Sequence, residues 1–69
     1  MSILIQTLLD QLNTVGQFHL LGTDGFVINA INCGGVYALE VLNPQGVPTL
    51  NCYSELPRVL AQVKAHVTL

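Results

Sequence analysis

The sequence predicts an α+β fold in which a four-stranded antiparallel meander sheet, of strand order 1-2-3-4, carries the N- and C-terminal helices on one of its faces. Two segments, 2–14 and 55–66, have apolar residues at helical spacing. The segment between them contains β-rich runs separated by turn sequences. Short connections favour strands that are neighbours in the chain, and they place residues 1–69 in a single domain.

The first helix is predicted from an apolar stripe that follows a capping residue. Ser2 can accept hydrogen bonds from backbone N–H groups of the first turn. The apolar residues then recur at i, i+3, i+4, i+7 and i+10, as Ile5, Leu8, Leu9, Leu12 and Val15. Gly16 follows at the position where helices commonly end in a left-handed residue, so the helix is predicted to end at residue 14.

The strands are predicted at 17–21, 26–33, 36–42 and 47–53. The turns that join them are GTDG at 22–25, the Gly34–Gly35 pair and Asn43–Gly46. If the first and last of these turns are bulged and the glycine pair forms a two-residue turn, then His19 faces Asn29 and Asn29 faces Glu40. Pro48 supports the bulge in the last turn, because it then faces Leu42 at a position that needs no N–H donor.

The second helix is predicted from its start and stop signals. Ser54 is a candidate N-cap, Glu55 suits the positive end of the helix dipole, and Pro57 is tolerated in the first turn. The apolar stripe consists of Leu56, Val59, Leu60, Val63 and Val67. Lys64 and His66 lie near the C-terminal end, where positive charge is favourable.

This register divides the strand residues between two faces of the sheet. The face predicted to support both helices carries Phe18, Leu20, Phe26, Ile28, Ala30, Tyr37, Leu39 and Val41. The other face is predicted to carry His19, Leu21, Val27, Asn29, Ile31, Ala38, Glu40, Leu42, Leu50 and Cys52. On that face His19, Asn29 and Glu40 form one row with apolar residues on both sides. Such a face is too apolar for a solvated surface and too polar for a core, which predicts a contact surface.

The candidate partner-binding residues are therefore those of the second face, namely His19, Leu21, Val27, Asn29, Ile31, Glu40, Leu42 and Leu50. The composition agrees with self-association, because 51% of the residues are hydrophobic and only 9% are charged. So short a chain buries only about 60% of its unfolded surface, and oligomerisation is one of the usual ways to gain stability.

The same composition argues against several classes of partner. A net charge of −2, with Arg58 and Lys64 as the only fixed positive charges, disfavours nucleic-acid binding. No apolar run approaches the roughly 20 residues of a membrane span, and the N-terminus lacks the basic flank of a secretory signal. We therefore expect a cytoplasmic protein that binds neither nucleic acid nor membrane.

Few residues could carry chemistry. Cys33 and Cys52 are expected to be buried small hydrophobes on one face, at least about 9 Å apart and too far for a disulfide. With His19 and His66 they lack the close ligand spacing of a zinc site. His19 beside Asn29 and Glu40 provides groups for acid–base chemistry, but a flat sheet face would not exclude water. No catalytic residue, metal or cofactor is predicted.

Three functions remain open at this stage. The first is a non-enzymatic interaction module, a small homodimer that binds and regulates or inhibits a larger protein, either as a host accessory protein or as a phage or mobile-element product. The second is a small-molecule binding module with an apolar pocket between helices and sheet, near Tyr37 and Tyr53. The third is an enzyme that uses His19 and Glu40 across a dimer interface.

Overall fold

Six elements follow one another in the predicted order in the computed structural model, which describes residues 3–68. They are α1 (Ile3–Thr14), β1 (Gln17–Leu21), β2 (Val27–Asn32), β3 (Tyr37–Leu42), β4 (Pro48–Ser54) and α2 (Leu56–His66). The strands form one antiparallel sheet in the order β1-β2-β3-β4. The predicted fold is thus confirmed, whereas the proposed cap Ser2 lies outside the described residues.

Both helices cover the same face of this sheet. The core consists of Ile5, Leu8 and Leu12 from α1, Val59 and Val63 from α2, and Phe18, Ile28, Ala30, Leu39 and Val41 from the sheet. These five sheet residues alternate along their strands with residues that point the other way, as the pleat requires. We call this side of the sheet the covered face. Its five buried members were all predicted to support the helices.

One residue of the predicted helical stripe does not reach the core. The backbone N–H groups of Val15 and Gly16 both donate to the carbonyl oxygen of Gln11, at 2.9 and 2.8 Å, which closes the helix. Gly16 then takes φ +91°, as predicted for a residue that ends a helix. Because α1 ends at Thr14, Val15 leaves the stripe and its side chain is 69% exposed.

The first two hairpins have the predicted register. His19 pairs with Asn29, and Asn29 pairs with Glu40. The Gly34–Gly35 pair forms a two-residue turn, closed by the N–H of Cys33 donating to the carbonyl of Val36 at 2.8 Å. Both glycines have positive φ, which side chains rarely adopt, so the turn requires them.

The third hairpin differs from the prediction by one residue. Pro48 pairs with Leu42 as expected, but Leu50 pairs with Val41, so Thr49 is an additional bulged residue. The hydroxyl of Thr49 donates to the carbonyl of Val41 at 3.2 Å, which ties the bulge to β3. Because successive side chains along a strand point to opposite faces of the sheet, one extra residue moves every later side chain of β4 to the other face.

The bulge therefore corrects two predicted positions. Leu50 and Cys52, which were expected on the uncovered side, lie on the covered face opposite Val41 and Leu39. Leu50 packs against the core there. Asn51 and Tyr53 take their places on the uncovered side, opposite Glu40 and Ala38.

The predicted N-cap of α2 is wrong. Ser54 ends β4 opposite Tyr37, and its side chain is buried instead of capping the helix. Glu55 occupies the cap position, and Pro57 lies in the first turn as predicted.

The C-terminal end of α2 is fastened to the turn between β1 and β2. The carbonyl oxygen of His66 accepts from the backbone N–H of Thr23 at 2.9 Å. Nδ1 of the His66 ring donates to the Asp24 carboxylate at 2.7 Å, and the ring stacks on Phe26 with 4.3 Å between centroids. These contacts hold α2 across the covered face.

Candidate functional site: the open face of the sheet

The side of the sheet without helices, here called the open face, is the candidate site. It is made of Gln17, His19, Leu21, Val27, Asn29, Ile31, Ala38, Glu40, Leu42, Asn51 and Tyr53. Seven of the eight residues predicted for partner binding lie on it, and Leu50 is the exception because of the bulge at Thr49.

A polar row crosses the open face from one edge of the sheet to the other. The strand pairing places one polar residue of each strand side by side, in the order His19, Asn29, Glu40 and Asn51 from β1 to β4. The predicted row of three residues therefore has a fourth member, Asn51. Nδ1 of His19 donates to Oδ1 of Asn29, whose Nδ2 donates to Oε1 of Glu40 at 3.3 Å. These bonds fix the Asn29 amide orientation, and they order the row across three strands.

The row limits the chemistry that His19 could perform. Asn29 stands between the imidazole and the Glu40 carboxylate, so the carboxylate does not bond the ring directly. A catalytic histidine is usually oriented by an acidic group or a carbonyl that stabilises its protonated form. Because the Asn29 amide also donates to Glu40, the row is an ordered set of hydrogen-bonding groups. Its remaining donors and acceptors are available to a partner.

Apolar side chains lie on both sides of the polar row. Leu21, Val27 and Leu42 form one flank, and Ile31, Ala38 and Tyr53 belong to the other. Three of these side chains are largely in solvent, with exposed fractions of 67% for Leu21, 48% for Ile31 and 74% for Tyr53. An apolar surface that continues over several strands is typical of a protein interface.

The open face is not flat, which corrects the expectation from sequence. An open depression of about 620 Å³ lies toward the β1 edge. It extends around that edge, because its lining includes Val15 and the covered-face residue Phe18 as well as His19, Asn29 and Ile31 of the open face. The exposure of Val15, which the helical pattern did not predict, gives the depression one of its apolar sides.

The cysteines also differ from the expectation. Both are free, but Cys33 is exposed beyond the end of β2, whereas Cys52 is half-buried on the covered face. Sγ of Cys52 lies 3.2 Å from Oγ of Ser54 and accepts from Arg58 at 3.6 Å. The hydrogen bond with Ser54 lowers the pKa of the Cys52 thiol, and the Arg58 guanidinium acts in the same direction. These contacts join β4 to the first turns of α2.

Among residues 3–68, no group of three or more histidine, cysteine or acidic side chains is arranged to hold a metal ion. Nor does that part of the chain contain a helix of the length and apolarity that crossing a membrane requires.

Sequence reasoning missed Asn51, Tyr53 and Val15 as residues of this site. A usable signal was present in β4, where Leu50 and Cys52 alternate with Asn51. Burying the two apolar residues requires the register that the bulge at Thr49 provides. Val15 was counted in the apolar stripe of α1 although it follows the predicted and observed end of the helix at residue 14, so the helical spacing no longer sets the direction of its side chain.

Comparisons with known proteins do not assign a function to the open face. No protein-family model, no curated protein and no solved structure matches the chain.

Proposed function

We propose that the protein is a non-enzymatic protein–protein interaction module whose contact surface is the open face. The observation that carries the proposal is the exposure of Leu21, Ile31 and Tyr53 around an ordered polar row. Interfaces combine apolar anchors, among which aromatic residues are prominent, with a limited number of hydrogen-bonding groups. The open face has both.

The size and charge of the chain support this proposal. Its accessible surface is 4202 Å², of which a typical interface of roughly 800 Å² per partner would take about a fifth. Only two basic and four acidic side chains are available to keep that surface hydrated. Covering the open face removes the largest exposed apolar residues of the sheet from water, at about 25 cal/mol for each Å² of apolar area.

The proposed assembly is a homodimer that binds and regulates or inhibits a larger protein. Ile3 and Val47 are exposed outside the open face, so a dimer built on that face still offers apolar contacts elsewhere. Two free thiols support a reducing compartment, and the cytoplasm is the compartment proposed. A cellular accessory protein and a phage or mobile-element product are both compatible with this role.

The two alternative functions have less support. A ligand site between helices and sheet would need Tyr37 and Tyr53 on the same side, but Tyr37 packs against the core and Tyr53 lies on the open face. An enzyme that uses His19 and Glu40 would have to act through the amide of Asn29.

The proposal is tested by the mass of the protein in solution over a concentration series. Ile31→Asp places a carboxylate in one apolar flank of the proposed contact, where burying an unpaired charge costs several kcal/mol. We expect a concentration-dependent dimer for the unchanged protein and a monomer with an unchanged circular dichroism spectrum for Ile31→Asp. Val47→Asp is the matched control, since Val47 is similarly exposed (55% against 48%) but lies outside the open face. A dimer that survives Ile31→Asp would refute the proposed surface.

A further inference from the structure

We infer that the partner of the open face is a second copy of the chain, seated so that Tyr53 of each copy fills the depression beside β1 of the other. The two copies are related by a two-fold axis that runs parallel to the strands, between β2 and β3. This inference rests on the proposed function, to which it adds the geometry of the contact between the two copies.

The sheet itself restricts the possible arrangements. Two stacked sheets in aligned packing lie about 10 Å apart, with strand directions within about 30° of each other. A symmetric pair of open faces can then have its two-fold axis along the strands or along the polar row. An axis along the strands places β1 over β4 and β2 over β3 of the second copy. An axis along the row places every strand over its own counterpart.

The polar row distinguishes the two axes. With the axis along the row, Glu40 faces Glu40 of the second copy, and two carboxylates are brought together as water is removed. With the axis along the strands, Glu40 faces Asn29 of the second copy, and His19 faces Asn51. The Asn29 amide, which already donates to the Glu40 of its own chain at 3.3 Å, has a second N–H available for this contact. The row is therefore self-complementary only about the strand-parallel axis.

The apolar flanks agree with the same axis. Val27 then faces Leu42 of the second copy, and Ile31 faces Ala38. In the second of these pairs a large side chain meets a small one, as close packing of two layers requires. Apolar residues meet apolar residues on both sides of the row.

Shape provides an independent argument. Tyr53 is the most exposed large apolar residue of the open face, at 74%, and it lies on the edge strand β4. The depression lies at the opposite edge of the same face, beside β1. The strand-parallel axis superposes β4 on β1, which brings Tyr53 over Gln17 and next to Val15 and Ile31. The row-parallel axis instead places Tyr53 over the Pro48 end of β4, and the smaller side chain of Leu21 then faces the depression.

The energetic expectation follows from the residue types. An aromatic side chain that enters a recess at an interface is a common hot spot, because its large rigid surface is buried at low entropic cost. Two symmetry-related copies of this contact occur in each dimer, so a change at Tyr53 acts twice. The structure thus assigns the principal binding energy to Tyr53 and the orientation of the dimer to the polar row.

The test uses chains with one reactive cysteine each. In a Cys33→Ser, Cys52→Ser background that retains the association behaviour of the unchanged protein, one chain carries His19→Cys and another carries Asn51→Cys. These positions are roughly 14 Å apart within a chain, three strand spacings, but face each other across the strand-parallel axis. The two chains are mixed, treated with a short bismaleimide and analysed by mass spectrometry, which separates the mixed product from the two homogeneous ones.

The expected result is a mixed product in clear excess over both homogeneous products. A homogeneous His19→Cys product as the main species would indicate the row-parallel axis, and it would overturn this inference while the open face remained the contact surface. A dimer that gives no cross-linked product with these chains and also survives Ile31→Asp would overturn the inference and the proposed function together. A chain that is monomeric at every concentration would overturn the inference together with the proposed homodimer, and the open face would then be a contact surface for a different protein only.

Tyr53→Ala provides a second test. We expect the dimer dissociation constant to rise by roughly thirtyfold or more, as for a hot-spot residue. Val47→Ala is the control, since it also shortens an exposed apolar side chain but lies in the turn before β4. If Tyr53→Ala raises the dissociation constant no more than Val47→Ala does, Tyr53 does not insert into the depression of the second copy.

Discussion

The two faces of the sheet are built from alternate residues of the same strands, yet they meet different physical requirements. In β2, Ile28 and Ala30 have no exposed surface on the covered face, whereas Ile31 remains 48% exposed on the open face. The covered face is apolar throughout the core and is packed by both helices. The open face adds a hydrogen-bonded row to its apolar residues. The covered face is buried by the chain's own helices. The open face keeps exposed apolar surface and hydrogen-bonding groups that can contact another molecule.

In the proposed dimer, a chain of 69 residues uses one face of its sheet for folding and the other for association. The helices provide enough apolar surface to cover one face only, because each has a single buried stripe. A domain of this size has little stability to lose, and a second layer from another molecule would add to it. Changes on the covered face should therefore affect folding, and changes on the open face should affect association.

The largest expected effect comes from two isoleucines in the same strand. Ile28→Ala should lower the free energy of unfolding by about 2–5 kcal/mol, because it leaves a cavity among fully buried residues. Ile31→Ala should cost well under half as much in the monomer, since half of its side chain is already in water. Urea unfolding at low protein concentration, where association does not contribute, measures both. Equal losses for the two variants would contradict the distinction between the faces.

A smaller effect is expected at Gly22, where α2 is fastened to the turn between β1 and β2. A Cβ at this position would lie 2.6 Å from the carbonyl oxygen of His66, so one of the two segments must move. We expect Gly22→Ala to cost about 1–3 kcal/mol of unfolding free energy, as overpacking typically does. The loss should appear in urea unfolding together with weaker protection of α2 amides from hydrogen exchange. Normal protection of α2 would show that this contact does not hold the helix in place.

The smallest expected effect is a pH dependence at the same contact. The hydrogen bond from His66 lowers the pKa of Asp24 below its ordinary value of 3.8. A carboxylate with a depressed pKa in the folded state contributes stability above its ordinary pKa, and loses that contribution as the pH falls through the folded-state pKa. Asp24→Asn should therefore reduce the loss of stability that the protein undergoes as the pH falls below about 3.8.

The partner residue provides the control for this prediction. His66→Ala should remove the larger part of this pH dependence, since the backbone N–H of Phe26 also lowers the pKa of Asp24. The double variant should lose no more than Asp24→Asn alone, because both changes act on one hydrogen bond. The urea midpoint above and below that pH measures each variant. Additive losses would mean that the His66–Asp24 contact is not the cause.

The sequence was sufficient for those parts of the fold that depend on local chemistry. Gly34–Gly35 and Gly46 have the positive φ that their turns require, and two of the three hairpin registers follow from the turns. The buried stripes of the helices were likewise predicted, because the helical periodicity is the one that brings their apolar residues to a single side of the segment.

The errors occur where a tertiary contact overrides a local signal. Ser54 is a good capping residue by type, but its side chain is used inside the structure beside Cys52. The bulge at Thr49 depends on burying Leu50 against the core, which the turn sequence does not encode. The His66–Asp24 contact joins residues 42 positions apart, and no local pattern predicts it.

The central claim is tested most directly by NMR in the presence of a paramagnetic probe, measured at several protein concentrations. A neutral gadolinium chelate broadens NMR signals of methyl groups in contact with water, so the Ile31, Leu21, Ile3 and Val47 methyls can be compared at low and high protein concentration. The account predicts that all four are broadened when the protein is dilute, because all are more than 45% exposed in the monomer. At high concentration Ile31 and Leu21 should become protected while Ile3 and Val47 do not. Equal broadening of all four methyls at every concentration would mean that the open face stays in water, and it would contradict self-association through that face.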